Sequence, residues 1–101
     1  MASALSISDL SQIVIAIINY QRGLVGPLAI DQAEKVKGIK IINRDRLEVQ
    51  ILNTEEPMAL LKNMVAKYEE LFGKASVEAC REAIREGSFH VSAENLPEAL
   101  R

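Results

Sequence analysis

The chain has 101 residues, of which 49% are hydrophobic and 26% charged, and a net charge of −2; this size and balance indicate one small globular domain and argue against a disordered chain. Two Phe, two Tyr and no Trp offer few platforms for stacking bases or sugars, and a single Cys excludes an intramolecular disulfide. The N-terminus lacks the basic region of a secretory signal, and no apolar run reaches the roughly 20 residues that span a bilayer. We therefore expect a cytoplasmic protein without a membrane partner.

Six consecutive apolar residues, 13–18, predict a buried helix over residues 8–22. Ser6 or Ser8 can cap its start, because a serine hydroxyl accepts from the unpaired N–H groups of the first turn. Gly23 and the Gly26-Pro27 pair mark its end. The apolar residues with one-face helical spacing are Leu10, Ile13, Val14, Ile17 and Ile18.

Ile15 does not fit that face. At about 100° per residue it projects from the polar side, and Ile7 lies at the edge of the apolar arc. One interpretation is a singly exposed isoleucine, which is common on protein surfaces. The other is that Ile7 and Ile15 pack against a second copy of the chain, because a domain this small has little core of its own.

A second, shorter helix is predicted over residues 27–37, with Pro27 in the first turn and Gly38 as the cap. Its alanines allow a close approach to the first helix. The glycines of the corner match neither a P-loop nor a dinucleotide pattern, so no cofactor is expected. The predicted inner face is Ala29, Ala33 and Val36, flanked by Leu28 and Ile30.

After Gly38 the apolar residues alternate with polar ones, which predicts two half-buried strands. Placing Ile41 opposite Leu47, and Ile39 opposite Val49, leaves residues 43–45 as a three-residue loop. A lone hairpin is marginal in water. It must pack on the helices, and its open edges are a second reason to expect a homodimer.

The strongest amphipathic helix is predicted to begin at residues 53–57, with a capping residue followed by acids and a proline, and to end at Gly73. A fourth helix is predicted over residues 76–86, with Val77, Cys80 and Ile84 inward and surface ion pairs between its Glu and Arg residues. Residues 88–101 are expected to be a loosely attached tail that either forms one loose helical turn or is partly disordered. The apolar face of the long helix is Met58, Leu61, Met64, Val65, Tyr68, Leu71 and Phe72.

No constellation of residues indicates catalysis or metal binding. His90, the sole histidine, has no nearby ligand pattern, and Cys80 lies on an inner helix face without a histidine at fixed spacing. The adjacent glutamates at 55–56 and 69–70 diverge around their helices. We therefore expect no catalytic residue, no metal site and no enzymatic activity.

A basic segment at residues 35–46 carries a local charge of +4 in an otherwise acidic chain. The order helix, helix, hairpin, long helix resembles winged-helix DNA-binding proteins over about residues 8–72, which implies a hairpin that contacts phosphates. Asp31 and Glu34 depart from that pattern because they repel phosphate, and two helices precede the hairpin instead of three. The alternative interpretation is a charged hairpin protected against aggregation. The candidate anion or nucleic-acid contacts are Lys35, Lys37, Lys40, Arg44 and Arg46.

The fold class predicted is α+β and mostly helical: two N-terminal helices, a central β-hairpin, two C-terminal helices and a short tail. Residues 25–29 resemble a turn found in small helical modules attached to bacterial signalling kinases, which favours a regulatory role. The predicted function is a small non-enzymatic interaction or regulatory protein acting as a homodimer, with a further protein partner as an option. The alternatives are a nucleic-acid-binding regulator and a small-ligand sensor with an aliphatic cavity between the helices.

Overall fold

The computed structural model describes residues 6–52, 56–87 and 96–100. These form an α+β, mostly helical fold, which confirms the predicted class. None of the described helices has the length and apolarity needed to cross a membrane. The elements in chain order are α1 (Ile7–Val25), α2 (Leu28–Glu34), β1 (Ile39–Asn43), β2 (Glu48–Ile51), α3 (Pro57–Phe72), α4 (Lys74–Glu86) and a 3₁₀ helix (Glu98–Leu100).

Helix α1 is the centre of the molecule and packs against α2, α4 and β2. It begins after Ser6, whose Oγ accepts a hydrogen bond from the Asp9 N–H at 3.0 Å. Of the two serines predicted as candidate caps, Ser6 is therefore the N-cap. It ends at Gly26, whose N–H donates to the Arg22 carbonyl and whose φ of 72° suits glycine. The five predicted apolar-face residues are all buried, and so is Gln21.

Helix α2 is shorter than predicted and ends at Glu34. The next N–H groups bond three residues back, from Lys35 to Gln32 and from Val36 to Ala33, so the chain tightens into turns before β1. The predicted inner face of alanines is buried against the core. Leu28, predicted to flank that face, instead lies half exposed at the helix start.

The hairpin forms, but the predicted register is wrong by two residues. Ile41 pairs with Val49, and Ile39 with Ile51. Leu47 lies in the turn with φ 53°, and its side chain is buried. Because the shift is even, the apolar residues still share one face, and a bulge between Ile41 and Asn43 absorbs the odd residue.

A side-chain hydrogen bond in the turn explains this register. Asn43 Oδ1 accepts a hydrogen bond from the Arg46 N–H at 3.0 Å, as an asparagine does in a tight turn. The turn therefore spans residues 44–47 and ends two residues beyond the predicted loop, at Leu47. Burial of the leucine side chain stabilises a backbone conformation that leucine rarely adopts.

Helix α3 has Pro57 in its first turn as predicted, and its N-cap Glu56 makes no side-chain capping bond. The predicted capping residues at 53–55 lie outside the described residues. Met58 and Leu71 lie at the edges of the apolar face and are exposed, whereas Leu60, absent from the predicted face, is buried.

Helix α4 begins at Lys74, directly after Gly73 ends α3 with a φ of 78°. Ser76, the predicted start, is instead a buried residue within the helix, and its Oγ donates to the Gly73 carbonyl at 2.7 Å. Val77 and Ile84 are half-buried against the core. The predicted surface ion pairs are confirmed and join Arg81 to Glu78 and Arg85 to Glu82.

The described end of the predicted tail is part of the core. Leu96 and Leu100 are buried, and the 3₁₀ helix packs on α4. Arg81 Nε donates to the Ala99 carbonyl at 3.3 Å. Residues 88–95 and 101, including His90, lie outside the described residues.

Candidate interaction surface

Several large apolar side chains of the described residues face solvent. Two lie at the corner between α1 and α2, Leu24 and Leu28, and two lie on the hairpin, Ile42 and Leu52. Single exposed apolar residues are ordinary on a protein surface. Ile42 and Leu52 differ because they lie beside backbone groups of the hairpin that pair with no other described strand. The remaining members of this set are Ile7, Met58 and Leu71.

The two residues predicted for self-association have different environments. Ile7 is 59% exposed in the first turn of α1. Ile15 is half-buried and packs against the core cluster. Ile7 is therefore the more exposed of the two, while Ile15 divides its surface between the core and solvent.

The hairpin turns backbone groups outward at defined positions. The Leu52 N–H donates to the Gly38 carbonyl at 2.7 Å, and Lys40 pairs with Gln50. Because hydrogen-bonded and non-hydrogen-bonded pairs alternate in an antiparallel ladder, the pairs on either side of Lys40–Gln50 direct their N–H and C=O groups away from the hairpin. These pairs are Ile39–Ile51 and Ile41–Val49. The described sheet has two strands, so no described strand pairs with these outward groups.

The solvent-facing side of the hairpin combines polar and apolar residues. Lys40 and Gln50 are exposed on the central pair. Ile42 is 53% exposed near the turn, and Leu52 is 61% exposed at the open end. The sequence analysis did not predict that Ile42 and Leu52 are exposed. The alternation that points Ile39 and Ile41 inward nevertheless also points Ile42 outward.

The basic segment is not uniformly available for anions. Arg44 donates to Asp31 Oδ1 at 2.7 Å and to Glu34 Oε1 at 2.6 Å. The hydrogen bond to Asp31 is the largest cause of the raised pKa of Arg44, which stays charged. The two acidic residues that depart from the winged-helix pattern therefore bind the central arginine of the segment. The other four cations are exposed and form no ion pair with any described residue: Lys35, Lys37, Lys40 and Arg46.

Two ionisable side chains, Cys80 and Tyr68, are buried in the core. Burial raises the pKa of the Cys80 thiol to about 11, and burial also raises the pKa of Tyr68, so both stay protonated near neutral pH. Tyr68 donates its hydroxyl to the Ala29 carbonyl at 2.8 Å, which ties α3 to α2. No group of three or more potential metal ligands occurs among residues 6–52, 56–87 and 96–100.

A groove of about 690 Å³ lies between α3, α4 and the 3₁₀ helix. Met58, Val65 and Pro97 provide apolar surface. The charged side chains of the lining are Lys62, Arg81, Glu69 and Glu98, so its charges balance. This volume falls within the roughly 300–1,000 Å³ range of small-molecule sites. Sequence reasoning placed an aliphatic cavity between helices but did not identify these residues.

The structure brings together Arg44, Asp31 and Glu34, so Arg44 is bound to two carboxylates. Ile7 and the hairpin remain the presented parts of the predicted self-association surface. No protein-family model, curated protein or solved structure matches this chain.

Proposed function

We propose that this chain is a small non-enzymatic interaction module with a regulatory or assembly role, acting as a homodimer. The observation that carries the proposal is the hairpin, whose outward backbone groups lie beside exposed Ile42 and Leu52. An open strand edge of this kind is a template for pairing with another chain. A chain of this size also gains stability by burying apolar surface between copies.

The chemistry of the interior supports binding rather than catalysis. Catalytic groups have pKa values shifted towards the working pH and a path to substrate. Cys80 and Tyr68 have pKa values shifted away from neutrality and no exposed surface. Arg44, Asp31 and Glu34 are bound to one another on the surface.

The test is the solution mass of the chain by light scattering across a range of concentrations. One chain has a mass of 11.2 kDa, and the proposal expects twice that mass at micromolar concentration. The exposed Ile7 is replaced in a variant, Ile7→Glu, to determine whether the first turn of α1 contributes. A mass of one chain at every concentration contradicts the homodimer.

The groove supports a second function, binding of a small apolar anion. Its charged lining residues are two cations, Lys62 and Arg81, and two acids, Glu69 and Glu98. Arg81 is paired with Glu78, so Lys62 is the cation that can bind the carboxylate of an alkyl chain whose apolar part lies on Met58, Val65 and Pro97. A ligand that binds only the folded state raises the melting temperature with concentration. Decanoate is the probe, Lys62→Ala is the test variant and Lys67→Ala is the control, because Lys67 does not line the groove. Equal melting curves with and without decanoate contradict this function.

Nucleic-acid binding is the less supported function, because Arg44 is already engaged by two carboxylates. It requires Lys35, Lys37, Lys40 and Arg46 to bind phosphates, and such binding weakens steeply with salt. Fluorescence anisotropy with a labelled duplex at two salt concentrations measures it. Affinity that disappears in Arg46→Glu and persists in Arg22→Glu favours this function over the interaction module.

A further inference from the structure

The two edges of the hairpin are not equivalent. On β1, the Ile39 N–H is already donated to the Val36 carbonyl at 3.2 Å. The register shift between Ile41 and Asn43 makes Ile42 a bulge residue, and Lys40 adds a charge. Bulges and lysines are the devices by which edge strands avoid pairing with other chains. The β1 edge is therefore protected.

The β2 edge is less protected, because its single charge is that of Glu48 at its first residue. Its register from Val49 to Ile51 is regular, and residues 49–52 carry no charge. Val49 and Ile51 belong to the non-hydrogen-bonded pairs of the hairpin, so their N–H and C=O groups point to the free side of β2. These groups form no hydrogen bond with any described residue outside the hairpin.

Strand β2 is also complementary to itself. When two copies run antiparallel about a two-fold axis at Gln50, Val49 of one copy lies opposite Ile51 of the other, and their outward groups form hydrogen-bonded pairs. Glu48 then lies opposite Leu52 of the second copy, so no like charges meet. An axis at Val49 would place Ile51 opposite Leu47, which lies in the turn and not in the strand.

We infer that two copies of this chain associate by pairing their β2 strands antiparallel, centred on Gln50, to form a four-stranded sheet. This inference rests on the proposed homodimer and names its contact. The strand order is β1–β2–β2–β1, and the protected β1 strands become the outer edges of the joined sheet. The exposed Leu52 of each copy then lies opposite Glu48 of the other copy.

Gln50 provides the direct test, because it lies on the axis. In the joined sheet the two Gln50 residues form a non-hydrogen-bonded pair with Cα atoms about 4.5 Å apart, within the roughly 4.4–6.8 Å that a disulfide spans. Gln50→Cys is therefore expected to form a covalent dimer rapidly under mild oxidation. The matched control is Lys40→Cys, because Lys40 is the exposed hairpin partner of Gln50 and is remote from the axis.

Two further controls define the register. Glu48→Cys places its thiols about 14 Å apart across the axis, at about 3.4 Å per residue, and is expected not to cross-link. The wild-type chain measures the background, since Cys80 is fully buried. Cross-linking of Gln50→Cys that exceeds all three controls supports the inference. Equal or faster cross-linking of Lys40→Cys assigns the contact to β1 and overturns it.

A second pair of variants removes one outward backbone donor from each edge. Val49→Pro and Ile41→Pro alter cross-strand partners whose N–H groups both point away from the hairpin. Val49→Pro is expected to reduce the solution mass to that of one chain, while Ile41→Pro retains the dimer. Circular dichroism checks that both variants are folded, and the cysteine test stands if either is not.

The outcomes separate this inference from the proposed function. A wild-type chain of single mass overturns both. A wild-type dimer that shows no preferential Gln50→Cys cross-link, and that keeps its mass in folded Val49→Pro, overturns the β2 contact while the homodimer stands. A dimer with both effects supports the two together.

Discussion

Gln21 of α1 donates a hydrogen bond through Nε2 to the backbone carbonyl of Ser76 in α4, 2.8 Å away, with no exposure to solvent. The same Nε2 lies 3.3 Å from Cys80 Sγ. Gln21 Oε1 is buried and has no hydrogen-bond partner among the described residues. This amide thus joins the two central helices at the cost of one unpaired acceptor.

Because Gln21 forms these hydrogen bonds but also buries an unpaired oxygen, two substitutions of it are expected to differ in their effect on stability. Gln21→Leu removes the hydrogen bonds and the unpaired oxygen together, so the free energy of unfolding is expected to change by no more than about 1 kcal/mol. Gln21→Ala leaves a cavity and is expected to lose about 2–4 kcal/mol. Urea unfolding measures both, with Gln12→Leu as the exposed control on the same helix. Equal losses in the two variants would show that the hydrogen bond to Ser76 dominates.

The C-terminal contact predicts a second difference. Leu100 is 2% exposed and packs in the core, whereas Leu71 is 56% exposed at the end of α3. Leu100→Ala is expected to reduce the free energy of unfolding by about 2–4 kcal/mol because it leaves a cavity. Leu71→Ala is expected to change it by less than about 0.5 kcal/mol. A loss as small in Leu100→Ala as in Leu71→Ala, measured by urea unfolding, contradicts a packed C-terminal segment.

Alkaline pH is expected to destabilise the fold. Burial raises the pKa of Cys80 from its ordinary value of 9.0 to about 11, so the unfolded chain releases this proton at lower pH than the folded chain. The contribution of Cys80 is complete below pH 9.0 and is lost as pH rises through about 11. Its largest slope is about 1.4 kcal/mol per pH unit. The raised pKa of Tyr68 acts in the same direction.

Thermal unfolding between neutral and alkaline pH measures this effect in wild type, Cys80→Ala and Tyr68→Phe. Cys80→Ala is expected to flatten the alkaline decline while lowering stability at neutral pH. Tyr68→Phe loses the hydrogen bond to the Ala29 carbonyl, which is expected to cost about 1 kcal/mol near neutral pH. An unchanged alkaline slope in both variants assigns the decline to other groups.

The contact of Arg44 with Asp31 and Glu34 holds the hairpin turn against α2. Because these groups are exposed, Arg44→Met is expected to lower the melting temperature slightly, and only at low salt. In 1 M salt, where screening acts over about 3 Å, the difference from wild type should disappear. Arg46→Met is the control, since that side chain has no ion pair among the described residues. A salt-independent decrease in Arg44→Met would indicate lost packing of its methylenes instead.

Local sequence signals were sufficient for most elements. The 3.6-residue apolar period predicted α1 and α3, and Ser6, Pro57 and Gly73 marked their ends because caps and turns depend on neighbouring residues. Gln21 was missed, although it follows Ile17 by four residues on the apolar face. Burying an amide there depends on finding a partner in α4, fifty-five residues further along the chain.

The hairpin shows where local reasoning stops. Alternation identified both strands and their inward faces, because side chains alternate with a period of two in any even register. It did not decide which even register forms. The Asn43 turn, the bulge at Ile42 and the burial of Leu47 determine that, and Leu47 is buried only through tertiary packing.

The sequence by itself determined the class, the order of the elements and the surface ion pairs of α4, since these follow from periodicity and spacings of three residues. Only the tertiary structure decided that Arg44 binds Asp31 and Glu34, that Leu96 and Leu100 belong to the core, and that the β2 edge is the less protected one. Each of these depends on which distant residues meet when apolar surface is buried. Chain spacing does not encode that choice, because the free energy of packing depends on the shape of the whole core.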